Sequence, residues 1–229
     1  IENKRLFKEQ LKKESEIREM ELAAKIQRNL LPYPMPVQKE FEAEAFMQAH
    51  HDIGGDYYDL VKSRTGDHIM LIADISGKGT SAALVMSNLQ ALFRATCLYE
   101  NQLDRILRIL NASLNLLKLE GKFVTLFIGK YLSAENKLEY INAGHPEQFL
   151  LSSDKITSLH STCSPLGVRA ELNSTVQEVR VNPNDILFCY TDGLMDVYNE
   201  KNEWLAEEGV KNILLNADRS SNLMELQEY

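Results

Sequence analysis

Three rhythms of polar and apolar residues follow one another along the chain. Residues 1–31 are rich in Glu, Lys, Gln, Leu and Ala, with no Gly or Pro before Pro32, which predicts one long helix. Its apolar positions are Leu6, Leu11, Ile17, Met20, Ala24, Ile26, Leu30 and Leu31. Ile17, Met20, Ala24 and Leu31 fit a heptad seam, yet Gln10, Lys13 and Gln27 fall on the same seam. Two readings stand side by side: a solvated helix with one buried end, or a helix that pairs with a second chain and carries a signal into the domain. Pro32, Pro34 and Pro36 then stop the helix and impose an extended connector.

From Phe41 the period shortens. Phe41 to Met47 alternates loosely and predicts a first strand, with Tyr57 to Val61 a second and Ile69 to Asp74 a third after the turn at Arg64–Asp67. Ala82 to Tyr99 and Leu103 to Leu119 return to helical spacing; the stripe Leu103, Ile106, Leu107, Leu110, Leu114 and Leu117 marks a core face. Phe123–Leu132 and Lys137–Asn142 predict paired strands turning at Ala134–Asn136, followed by strands at Gln148–Leu151, Val176–Val181 and Ile186–Tyr190. Asn199 to Tyr229 is polar and mostly helical in pattern. Short hairpin connections favour antiparallel pairing, so the middle of the chain predicts antiparallel sheet with helices outside it.

The 229 residues suffice for one sizeable core. A formal net charge of -8 argues against nucleic acid or an anionic membrane as the main partner, since both need a basic face. The three cysteines Cys97, Cys163 and Cys189 are unclustered, which argues against a disulfide framework and a zinc site and fits a reducing cytosol. No apolar run reaches the roughly 18 residues of a membrane span, and no signal peptide is visible. The chain opens on Ile1 rather than Met, so the expectation is a cytoplasmic piece of a longer protein, with membrane or sensor domains upstream left open.

Chemistry concentrates where apolar runs end. Asp56 follows Gly54-Gly55, Asp74 opens Asp74-Ile75-Ser76-Gly77-Lys78-Gly79, and Asp192 closes Tyr190-Thr191-Asp192-Gly193. Strand ends deliver side chains to one rim of a sheet, and carboxylates gathered there repel and resist burial unless a cation joins them. Oxygen-only ligands favour Mg2+ or Mn2+. Two such ions sharing a carboxylate suit phosphoester hydrolysis by an activated water. The plainer reading is an aspartate that caps a turn before glycine. Asp59 reads either as a further acid behind this group or as a strand-end residue; Asp52 and Asp67 read as turn residues. Lys78 between Gly77 and Gly79 faces a phosphate or neutralises the acids, and the following helix start suits an anion. His145 in Gly144-His145-Pro146 is a proton donor, a ligand or a structural residue, and His50 and His51 are weaker candidates.

Together these residues resemble the SpoIIE/RsbU branch of the metal-dependent serine/threonine phosphatases, relatives of protein phosphatase 2C. The landmarks stand in order: IQRNLLP at Ile26–Pro32, GGDYYD at Gly54–Asp59, ADISGKG at Ala73–Gly79, FVTLFIG at Phe123–Gly129, NAGHP at Asn142–Pro146, PLGV at Pro165–Val168 and YTDGL at Tyr190–Leu194. The resemblance covers about Ala23 to Gly209. It implies an α+β fold, a four-layer α-β-β-α sandwich of two antiparallel sheets flanked by helices, in a domain from 32 to 229 behind a helical linker at 1–31. It also implies two Mn2+ or Mg2+ ions bridged by Asp74, with Asp56 on one, Asp192 on the other and the Ile75 carbonyl as a further ligand. The implied reaction is hydrolysis of phosphoserine or phosphothreonine, with an anti-sigma-factor antagonist as substrate in bacterial partner switching. The helix before IQRNLLP links sensor to phosphatase in such proteins.

One departure follows. Members of the branch end with an Asp-Asp-x-Thr strand that supplies a further acid, and no such motif follows Asp192 here. An alternative is therefore a catalytically incomplete phosphatase-like domain that binds a partner. A nucleotide cyclase is a weaker rival: Gly54-Gly55-Asp56 is similar to the start of GGDEF, but Glu-Phe is missing and ADISGKG and YTDGL go unexplained.

Overall fold

The computed structural model describes residues 2–36, 38–47, 53–117, 121–153, 155–198 and 204–216. His50, His51 and Asp52, Leu119 at the predicted end of a helix, and the predicted helical tail beyond Asn216 lie outside these residues. In chain order the elements are α1 (Glu2–Leu30), β1 (Tyr57–Lys62), β2 (His68–Ile75), α2 (Thr80–Cys97), α3 (Leu103–Leu116), β3 (Val124–Leu132) and β4 (Lys137–Ala143). Then come β5 (Gln148–Leu151), β6 (Ile156–Leu159), β7 (Gln177–Arg180), β8 (Ile186–Phe188), α4 (Asp192–Met195) and α5 (Ala206–Asn216).

Two antiparallel sheets result. The larger has the order β1-β2-β3-β4-β7 and the smaller β6-β5-β8. The period of two in β2 explains how they stack. Ile69, Leu71, Ala73 and Ile75 join the core under α2 and α3, with Val85, Met86, Leu89, Phe93, Ile106, Leu107 and Leu110. Met70 and Ile72, on the opposite face, pack with Phe127, Leu138 and Tyr140 of the same sheet and Leu159, Leu187 and Cys189 of the smaller sheet. A third apolar layer, Phe149, Leu151, Tyr190, Val210 and Leu214, joins the smaller sheet to α5. The order is helices, sheet, sheet, helix: the α-β-β-α sandwich. Each fully buried Leu, Ile or Phe in these layers stabilises by about 1.5–3 kcal/mol.

The leucine stripe of α3 is core, as its spacing predicts. One expectation fails. Phe41 to Met47 forms no strand: Phe41 packs edge-on against His68 at 5.1 Å and Tyr131 at 5.9 Å, a pair facing each other across β2 and β3. Its apolar side chains cap the end of a sheet instead of joining its ladder. Conversely β6 has no strong sequence signal, because Thr157 and Ser158 interrupt a four-residue strand that exists only by pairing with β5.

α1 docks by its last turns alone. Ala24, Gln27 and Leu31 are buried, while Leu6, Phe7, Leu11, Ile17, Met20, Leu22 and Ile26 are exposed. No helix among the described residues is long and apolar enough to cross a membrane.

Candidate functional site

Asp74 is on the face of β2 that carries Met70 and Ile72, one residue before the strand ends, so it points into the seam between the sheets at their rim. Asp56 immediately precedes β1. Asp192 opens α4 shortly after β8 of the other sheet. The three carboxylates feel one another. Asp74 is pushed up to about 6, first by burial and then by the charges of Asp192 and Asp56. Asp56 is raised by burial and by Asp192, against a hydrogen bond from Thr191 that lowers it. None of the ion pairs among the described residues neutralises these acids. Among the described residues, no three His, Cys, Asp or Glu side chains are grouped closely enough to hold a metal ion as they stand. The acids raise one another's proton affinity at the rim, and a proton or a cation would relieve that repulsion.

Backbone groups adjoin the acids because a glycine lets them. A Cβ on Gly55 would meet the Ile75 carbonyl oxygen at 2.6 Å and Asp74 Oδ1 at 3.3 Å, so only glycine allows the Asp56 loop to lie against the end of β2. Asp56, Asp74 and the Ile75 carbonyl are thus neighbours, and a hard cation takes such an oxygen set. By donor chemistry, these oxygens are of the kind that suits a hard divalent cation.

Other predicted site residues lie elsewhere. Asp59 does not join the acids. It faces α2, its side chain fully buried, and accepts from Arg94 Nε at 2.7 Å, Arg94 Nη2 at 3.2 Å and the Tyr57 hydroxyl. Alternation explains this: Asp59 shares the core-facing side with Tyr57, opposite Leu71 in the β1·β2 register. Gly77 and Gly79 adopt φ of 94° and 73° and turn the chain from β2 into α2, and Lys78 between them is exposed. His145 is buried, with Nδ1 2.8 Å from Thr125 Oγ1 and Nε2 3.1 Å from the Tyr190 carbonyl. Both ring nitrogens are committed within the protein, which leaves it neither a ligand nor a proton donor to substrate. Burial lowers its pKa to about 4.

Three contributors escape sequence reasoning. Lys122 donates to the Ser76 carbonyl at 2.9 Å, and its ammonium lies against Gly77, where a Cβ would stand 2.1 Å from Nζ. Together with the Ser76–Phe123 bonds, N–H to carbonyl at 2.9 Å and N–H to Oγ at 2.8 Å, it pins the loop after Asp74. Gln27 of α1 grips the Gly54 main chain: Nε2 donates to the carbonyl at 2.6 Å and Oε1 accepts from the N–H at 3.1 Å. Gln148 holds both main-chain groups of Tyr190, at 2.8 Å and 3.1 Å. Only Gln27 left a trace in the sequence, as one of three polar residues, with Gln10 and Lys13, on the heptad seam.

A four-layer sandwich with acids gathered at the rim between its sheets defines the class, the protein phosphatase 2C fold. The SiaA-PP2C domain of Pseudomonas aeruginosa superposes with a TM-score of 0.81 at 17% identity, over 94% of this chain and 87% of that one. The PP2C phosphatase domain of SpoIIE from Bacillus subtilis gives 0.62 at 16% identity, over 77% and 52%. The family model for stage II sporulation protein E matches residues 64–228, and the chain belongs to that SpoIIE family. Among named relatives, the phosphoserine phosphatase RsbP of Bacillus subtilis is 30% identical over 188 residues, covering 78% of this chain and 45% of RsbP. RsbU of the same organism, also named a phosphoserine phosphatase, is 27% identical over 80% of this chain and 55% of its own length. Protein IcfG of Synechocystis is 26% identical over 83% and 34%. The chain thus spans between about a third and about half of the length of these relatives.

Proposed function

We propose that the chain is a metal-dependent serine/threonine protein phosphatase domain, spanning 32–229 behind a helical linker at 1–31, that removes phosphate from phosphoserine or phosphothreonine. The observation that carries this reading is the convergence of Asp56, Asp74 and Asp192 from separate elements of both sheets, with Asp74 raised to about 6 by burial and by the other two charges. Isolated turn-capping aspartates would not raise one another.

Asp56, Asp74, Asp192 and the Ile75 carbonyl would hold the ions. Bound there, Mn2+ or Mg2+ supplies positive charge to the phosphate oxygens and acidifies the attacking water. The chain's own residues do the rest. Gly55 lets the Asp56 loop close against Ile75, Lys122 and Ser76 keep the glycine loop in one conformation, and Gln27 fixes the start of the Asp56 loop. Lys78 is exposed beside the acids and faces whatever phosphate-bearing segment arrives there.

The proposed substrate is a phosphorylated regulatory protein of the anti-sigma-factor antagonist type, in a cytoplasmic pathway of bacterial signalling. Support comes from the phosphoserine phosphatase names of RsbP and RsbU. An upstream sensor, acting through a homodimer of α1 helices, completes the proposal. The alternative, a binding module without turnover, rests on the acids of the described residues not being grouped closely enough to hold a metal ion as they stand.

One experiment separates the two. The chain is given a phosphoserine peptide with Mn2+, with Mg2+, or with chelator. The expected result is phosphate release that needs metal and disappears in a folded Asp74→Asn variant. Peptide binding without release in any metal would favour the binding module, and turnover surviving in Asp74→Asn would remove Asp74 from the site.

A further inference from the structure

The acids that would share the ions come from different sheets, and apolar packing between sheets is not directional. Asp74 belongs to the larger sheet, whereas Asp192 follows the last strand of the smaller one. Ladder pairing does not place Asp192, because the β5·β8 register ends at Phe149↔Phe188. Beyond that point Gln148 takes both main-chain groups of Tyr190, and His145 Nε2 adds a contact to its carbonyl at 3.1 Å. The other side of the same ring meets Thr125 Oγ1 at 2.8 Å. Thr125 is the residue directly opposite Asp74 in the β2·β3 register.

The protonation pattern follows from the partners. A carbonyl only accepts, so Nε2 carries the proton and donates to Tyr190. Burial disfavours a second proton on the ring, so Nδ1 is the acceptor and the Thr125 hydroxyl donates to it. The imidazole is neutral, and the main-chain N–H of His145 donates to Asn142 Oδ1 at 2.9 Å.

We propose that His145 is a positioning residue: its neutral ring bolts the Asp74 strand neighbour Thr125 to the Tyr190 carbonyl and so sets where Asp192 stands relative to Asp74. This rests on the metal-dependent phosphatase reading above. Groups that orient metal ligands from behind are commonly worth about 10–100-fold in metal affinity.

The test uses the full chain and three variants. Thr125→Val removes the hydroxyl donor at nearly constant volume, Thr125→Ser keeps it, and His145→Gln replaces the ring. Mn2+ affinity is measured by titration calorimetry without substrate, kcat and KM with p-nitrophenyl phosphate, and amide hydrogen exchange at Tyr190–Asp192 on the metal-free chain. Thr125→Val and His145→Gln are expected to weaken Mn2+ binding by about tenfold. They should also lower kcat with KM within about twofold and speed exchange at Tyr190–Asp192, while Thr125→Ser restores all three. Variants that fold yet keep wild-type Mn2+ affinity, kcat and exchange overturn the proposal, as does a lowered melting temperature with those three unchanged. A wild-type chain that neither binds Mn2+ nor turns over removes the phosphatase reading instead. In that case exchange at Tyr190–Asp192 still decides the tether: faster exchange in Thr125→Val upholds it, and unchanged exchange overturns it.

Discussion

His145 is 4% exposed and bonded through both ring nitrogens, so protonating it would bury a charge and turn the acceptor Nδ1 into a second donor facing a hydroxyl. Its folded pKa of about 4 lies below the ordinary 6.5. A depressed value means the stabilising effect is complete above pH 6.5 and is lost as pH falls toward 4. The whole span corresponds to roughly 3 kcal/mol. Urea unfolding of the metal-free chain at pH 7 and pH 4.5 should show wild type losing more stability than His145→Gln, in which the titrating ring is gone; equal losses would refute the assignment. Other residues differ in how far they were legible. Asp56, Asp74 and Asp192 stand out in the sequence because an acid at the border of an apolar run marks a rim. Asp59 follows the same local pattern and is nevertheless half of a buried ion pair, since only the partner Arg94, 35 positions away, decides which way it faces. Lys122 carries no local signal, because its contact to Ser76 exists only once β2 and β3 pair.

Elements with a strong period of their own were readable: α2 and α3 with their buried stripes, and β2 with its alternating faces. Elements defined by a partner were not. β6 pairs only with β5, the predicted strand end at Tyr190 is instead captured by Gln148, and Phe41 serves as a lid over a sheet end. α1 combines both cases. Its helical nature is evident from composition, yet its contact with the site depends on Gln27, 5% exposed, gripping Gly54 one residue before Gly55 and two before Asp56. Sliding or rotating α1 would therefore move the Asp56 loop. Gln27→Ala removes both bonds and leaves the Gly54 main chain partly buried and unpaired, a loss of about 1–3 kcal/mol. The expected outcome is a fall in Mn2+ affinity and turnover larger than that caused by Ile26→Ala, whose side chain is exposed on the neighbouring position. Calorimetric titration of both variants checks it, and equal affinities would separate α1 from the site.

At the scale of the molecule, α1 projects Leu6, Phe7, Leu11, Ile17, Met20 and Leu22 into solvent over its first 22 residues while burying only its last turns. Scattered exposed apolar residues are ordinary on a protein surface. A single helix carrying this many along an undocked length is not, since isolated helices gain little from propensity alone and rely on packing. The seam Ile17, Met20, Ala24 and Leu31 is interrupted by Gln10, Lys13 and Gln27; Gln27 is occupied by Gly54 in this fold, which leaves the part before it available to a second copy. Pairing through that part would place two domains side by side and would let an upstream rotation reach both Gln27 clasps together. Removing residues 1–22 retains Ala24, Gln27 and Leu31, so the domain should keep its fold and its Mn2+ affinity. The intact chain should have twice the mass of one copy by light scattering and the truncated chain the mass of one. A truncated chain that still doubles would move the interface to the sandwich, and an intact chain that stays single at high concentration would reduce the exposed stripe to a solvated surface.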